Sequence, residues 1–172
     1  MAYAVAEDAR VSLPVMVNID GFALTHTYES VDIPTQQQAD EFLPVYSTAN
    51  RFDFEHPVNL GYSAGPEFNR YYQYEHHRDM MAVGEVVTEV EEHFATVMGR
   101  QYSGMIEEYR SRDAEYVMVC VGSIAGLARQ VVDKLRAEGM ACGMVRLRYL
   151  RPFPTTLLAR AVAVASAVGV LE

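Results

Sequence analysis

No stretch of 18 or more consecutive apolar residues occurs in the 172-residue sequence, which excludes a hydrophobic membrane-spanning helix. The first residues do not form a basic and then apolar secretory leader either, so the protein is expected in the cytoplasm. Cysteine is scarce: Cys120 and Cys142 form no C-x-x-C pair, which argues against a metal or redox site and for buried thiols in a reducing compartment. Lysine is almost missing, with Lys134 alone beside 13 arginines, and this bias points to no function. Clustered cations are missing from most of the chain. Residues 1–110 hold 6 Lys and Arg against 18 Asp and Glu, whereas residues 111–172 hold 8 against 5. Phosphate backbones are bound by clustered positive charge, so nucleic acid is excluded as a partner of the first part, whose acids read as a solvated face. There is no G-x-G-x-x-G, no Walker loop and no H-E-x-x-H, hence no complete dinucleotide, triphosphate or zinc motif.

What is present is ample apolar content, half of all residues, enough for the core of one medium domain. The segment 114–172 carries the clearest pattern. Glu115–Val121 is a β-branched-rich apolar run, as expected of a buried parallel strand, and Gly122-Ser123 breaks it where a crossover helix begins. Ile124, Leu127, Ala128, Val131, Val132 and Leu135 then recur at helical spacing, with Arg129, Asp133, Lys134 and Arg136 between them. Gly139 ends that helix. A second apolar run spans Ala141–Tyr149, a stiff Leu150–Pro154 turn follows, Thr155 starts another helix, and Val168–Leu171 is a third strand. Two βαβ crossovers predict an α/β fold with a mostly parallel sheet covered by helices.

The earlier part of the chain is less periodic. Tyr3–Ala9 has the composition of a helix end, so the chain is expected to open in mid-element. Leu13–Asp20 reads as a buried strand closed by Gly21, one that should pair with a sheet mostly outside this sequence. Residues 35–66 read as an extended linker. Phe42, Tyr46, Phe52, Phe54 and Tyr62 are too many aromatics for a free tether, so it is expected to lie along another surface. Glu67–Met98 reads as a long helix whose apolar face includes Met80, Val83, Val87, Val90 and Phe94, with Glu85, Glu89, Glu91 and Glu92 on an exposed face. Residues 99–112 read as a connector.

Candidate site residues are few, and no catalytic residue and no metal ligand is assigned. His26, between two threonines just past a strand end, is either a ligand group or a hydrogen-bonded structural residue. His76 and His77 diverge by about 100° on a helix, which does not suit one shared ion. The Gly122-Ser123 turn before a helix N-terminus either binds an anion through backbone N–H groups or is a tight βα turn with Ser123 as its N-cap. Arg146 and Arg148, at alternating strand positions, should share a face near the strand's C-terminal end, where open α/β sheets place ligands. With Arg151 they serve either a ligand or the acids of a neighbouring subunit.

Leu13–His26, Val31–Pro34, Gly122-Ser123 and Arg146–Pro154, taken in that order along nearly the whole chain, resemble the α subunit of pyruvate:ferredoxin oxidoreductase. The resemblance implies a transketolase C-terminal-domain-like fold for residues 67–172, led by a long helix and truncated at its end. It also implies an extended linker at 35–66 and the tail of a pyrimidine-binding domain at 1–34. In such enzymes a 2-oxoacid is decarboxylated on thiamine diphosphate, with magnesium. Electrons pass through iron–sulfur clusters to ferredoxin, and coenzyme A takes the acyl group. Those cofactors are expected in other domains or subunits of an oligomer, so this chain alone is expected to bind none of them and to be inactive. Two other readings are a non-enzymatic subunit-interaction module and a small-ligand-binding domain built on the Gly122 turn.

Overall fold

The computed structural model describes residues 1–22, 24–48, 51–59, 61 and 63–171. Ala23, Tyr62 and Glu172, which fall in stretches interpreted above, lie outside the described residues.

The C-terminal part folds as its apolar runs dictate. Strands β1 (Ile106–Tyr109), β2 (Tyr116–Val121), β3 (Cys142–Leu147) and β4 (Ala167–Leu171) form one sheet in the order β1-β3-β2-β4. β2 pairs in parallel with both β3 and β4, and β1 runs antiparallel to β3 with Ile106 opposite Leu147. Helices α4 (Ile124–Ala137) and α5 (Thr155–Ala161) are the crossovers. Because side chains alternate along a strand, Cys120 and Met144 face α4 and pack with Ala125, Ala128 and Val132, while Val117, Val119 and Val145 face α5 and pack with Ala161. This is an α/β fold with a mostly parallel sheet.

Two expectations about this unit change. The supposed connector at 99–112 contains β1, whose sequence Ile-Glu-Glu-Tyr carries two acids and so lacks the apolar run of a central strand; it occupies an edge, where such residues reach water. The apolar stripe of α4 is wider than the sheet beneath it. Ala125, Ala128 and Val132 are buried, but Ile124, Leu127 and Val131 stay exposed.

Helix α3 (Pro66–Met98) is the long helix expected, with Pro66 in its first turn, where a missing N–H costs nothing. Its second half packs: Val83, Val86 and Val87 are buried with Met105 and with Val5 and Val11 from the N-terminal end. Tyr71, Tyr72 and Tyr74 in its first half are exposed. Glu91 is a correction. It sits four residues after Val87 and three before Phe94, on the apolar stripe, and is buried at 4% exposure.

The N-terminal third departs most. Helix α1 (Ala2–Glu7) is present, but Leu13–Asp20 forms no strand; residues 14–20 are irregular and exposed, because no described strand lies beside them to supply lateral hydrogen bonds. The linker is not wholly extended. Helix α2 (Gln36–Phe42) begins with a capping box in which Thr35 Oγ1 accepts from the Gln38 N–H and the Gln38 side chain accepts from the Thr35 N–H. Phe42 is buried edge-on against Phe94, with ring centres 5.2 Å apart, so the linker does lie on α3 at that point. Tyr46, Phe52 and Phe54 remain exposed.

Candidate functional site

α4 leaves the end of β2 on one face of the sheet, and α5 follows β3 on the other. The loops after these adjacent strands therefore separate, and the crevice between them is the place where open α/β sheets present ligand-binding groups. Gly122 and Ser123 form the loop after β2, on one side of the point where the two loops separate. Gly122 has φ +74°, a conformation open chiefly to glycine, and a Cβ there would lie 2.9 Å from Asp20 Oδ2.

Asp20 is the residue that sequence reasoning missed. Its carboxylate accepts a 2.6 Å hydrogen bond from the Ser123 backbone N–H, across 103 residues of chain. Ser123 occupies the N-cap position of α4, but its side chain makes no capping bond to the helix, contrary to the expected cap. Asp20 supplies the negative group at this helix start instead. Ser123, through its side chain first and its backbone N–H second, holds the Asp20 carboxyl below the usual carboxylate range, and the Arg146 charge adds to the effect. The available signal was an acid followed by glycine after an apolar run, with nothing local to show where it would reach.

Arg146 pairs across the strand with Glu107 of β1, its Nη1 3.9 Å from Glu107 Oε2; Arg129 of α4 donates from Nε to the same carboxylate at 3.0 Å. Arg146 Nε is buried with no hydrogen-bond partner. Arg148 does not join it. β3 ends at Leu147, so the alternation that would align the two arginines stops, and Arg148 turns to α3. There its Nη1 donates to Glu91 Oε1 at 2.5 Å and to the Gly104 carbonyl at 2.6 Å, with its guanidinium 5.0 Å from the Tyr102 ring centre. Arg151 is exposed and donates to the Leu150 carbonyl. His26 makes local contacts, stacked on Phe22 and 2.9 Å from Thr25 Oγ1. His76 and His77 are exposed on α3.

The Gly122-Ser123 turn does not suit a diphosphate, nor the two cysteines an iron–sulfur cluster. The turn is filled by the chain's own Asp20 carboxylate, which would repel a diphosphate. Cys120 and Cys142 are both buried, Cys142 Sγ contacts the Val132 carbonyl, and burial pushes the Cys120 thiol up, the opposite of what a cluster ligand needs. Among the described residues no group of three or more His, Cys, Asp or Glu is arranged to hold a metal ion, and no helix is long and apolar enough to cross a membrane.

Comparison with known proteins bears on both halves of the chain. Residues 1–92 match the family "Pyruvate flavodoxin/ferredoxin oxidoreductase, thiamine diP-bdg", and residues 114–172 match "Pyruvate:ferredoxin oxidoreductase core domain II". The pyruvate synthase subunit PorA of Methanothermobacter thermautotrophicus is 40% identical over 172 residues, all of this chain and 45% of that protein. The ketoisovalerate oxidoreductase subunit VorA of Pyrococcus abyssi is 38% identical over 158 residues, 90% of this chain and 39% of that one. The chain thus spans less than half the length of these relatives. A solved 2-oxoglutarate:ferredoxin oxidoreductase from Magnetococcus marinus, with 2-oxoglutarate, coenzyme A and succinyl-CoA bound, aligns with 63% of this chain and 16% of its own at 16% identity and a TM-score of 0.44, a likeness too slight to place any element. The two family matches, in tandem and together spanning most of the sequence, show that the chain belongs to the pyruvate flavodoxin/ferredoxin oxidoreductase family.

Proposed function

We propose that this chain is part of the α subunit of a 2-oxoacid:ferredoxin oxidoreductase, with pyruvate as the substrate. In the assembled enzyme the 2-oxoacid is oxidatively decarboxylated to an acyl-CoA on thiamine diphosphate with magnesium, and iron–sulfur clusters carry the electrons to ferredoxin. The chain's own contribution is to the contacts between domains and subunits of an oligomer. Within it, residues 1–34 are the tail of the pyrimidine-binding domain, 35–66 the linker, and 67–172 the transketolase C-terminal-like domain. The observation that carries this reading is the order of the two family matches along one chain, at 1–92 and 114–172, with relatives aligned across both. The pyruvate assignment rests on the pyruvate synthase subunit that aligns with this chain along its whole length.

Titration calorimetry of the purified chain with thiamine diphosphate and magnesium tests the division of labour: no binding is expected, and tight binding would overturn it. Pyruvate- and coenzyme A-dependent ferredoxin reduction by the enzyme reassembled with its other subunits tests the activity. A preference for a branched 2-oxoacid in that assay would refute the substrate assignment.

A further inference from the structure

The Asp20–Ser123 contact joins the two stretches that match separate family models, residues 1–92 and 114–172. Among the described residues, 14–22 make no other hydrogen bond to the sheet. Residues 14–22 are irregular, and Met16, Val17, Ile19 and Phe22 are exposed although apolar. At the other end of the contact three features converge on a carboxylate. The Ser123 N–H points out of the start of a 14-residue helix, Gly122 leaves room that a Cβ would take from Asp20, and the charge of Arg146 acts on the same carboxylate.

We propose that Asp20 is an internal clasp: its carboxylate, seated on the loop that follows β2, fastens the 14–22 segment at the end of the sheet and adds a polar tie between the chain's two family-matched stretches to those made by α3. The Gly122-Ser123 turn is then a receptor for a carboxylate supplied by the chain itself. Beyond Leu13, which packs on the core, residues 14–22 are exposed and the contact is held by hydrogen bonding and charge, so removing the charge releases this stretch and leaves the sheet folded. Ser123 reaches Asp20 from its side chain and from its backbone N–H, so substitution of the side chain weakens the contact but leaves the N–H in place, whereas Asp20→Ala removes the acceptor of both.

The test is made on the full chain by NMR amide exchange and paramagnetic broadening. In Asp20→Ala the Ser123 amide should exchange roughly tenfold faster or more, the order of effect for losing a hydrogen bond to a charged group, while amides at the centre of β2 and β3 keep their rates. A nitroxide on Met16→Cys, which the buried Cys120 and Cys142 leave as the accessible thiol, lies four residues from Asp20 and within about 14 Å of it along the chain. It should broaden the amides of residues 122–124, and Asp20→Ala should abolish that broadening. Unchanged Ser123 exchange in Asp20→Ala would overturn the clasp, and so would broadening that survives the substitution.

Discussion

Replacing Glu91 by alanine should be among the most damaging single changes to this fold. The carboxylate is buried at 4% exposure and accepts two hydrogen bonds of 2.5 Å, from Arg148 Nη1 and from the Gly104 N–H. Its loss strands a guanidinium whose side chain is 13% exposed, leaving it the Gly104 carbonyl and the faces of Tyr102 and Tyr149. Breaking one side of a buried pair typically costs about 3–5 kcal/mol, because the surviving charge stays buried without its partner. Arg148 retains one carbonyl and two aromatic faces, Tyr102 and Tyr149, which places the expected loss near the low end, about 3 kcal/mol. For a domain of this size that corresponds to a fall in Tm of about 6–12 °C. Urea unfolding followed by circular dichroism should show a lower midpoint at unchanged slope. The double variant Glu91→Leu with Arg148→Met should recover most of the loss, since an apolar pair of similar volume is often neutral or better. A loss below about 1 kcal/mol in Glu91→Ala, or a double variant no more stable than the sum of the singles, would refute the idea that the pair is buried and coupled.

Gly143→Ala should prevent stable folding, because a Cβ there would stand 2.4 Å from the Arg110 carbonyl oxygen, a backbone atom with no room to give; soluble yield and far-ultraviolet circular dichroism check this, and a wild-type melting profile would contradict it. Thr35→Ala removes the capping box and should weaken α2 by about 1 kcal/mol, read as faster amide exchange over Gln36–Phe42 with α3 unchanged. Arg10 bridges Asp8 and Glu89, and its hydrogen bonds hold both carboxyls below their usual values. Folded values below the unfolded ones mean that this stabilisation is complete above the ordinary carboxylate range, near pH 4, and is lost as pH falls through the lowered values. The Tm advantage of the native protein over Arg10→Gln should therefore shrink on acidification, and a pH-independent difference would contradict the bridge.

The parallel core was legible because each of its signals is local. Continuous apolar runs marked β2, β3 and β4, while Gly122, Gly139 and the prolines after Leu150 marked the breaks, so the βαβαβ order follows from neighbours in sequence. Features that depend on distant partners were not legible. Leu13–Asp20 has the composition of a strand but no described strand beside it, and β1 has the pairing of a strand without the composition. Glu91 looked like one acid among several until its place between Val87 and Phe94 put it inside, and Asp20 carried no local sign that it would reach Ser123. The α2 capping box is a different case, for Thr35 and Gln38 stand at the right spacing to be read directly.

The uneven burial of α3 makes it a lever. Thirty-three residues at 1.5 Å each give a rod about 50 Å long, and only its later part is wedged between α1, Met105 and Phe42. The stretch ahead of Met80 projects about 20 Å without a buried residue. Rotating the wedged part by about 10° would carry the tip through roughly 3.5 Å, so a small adjustment of packing at Val83 and Val87 is magnified at the surface that bears Tyr71, Tyr72 and Tyr74.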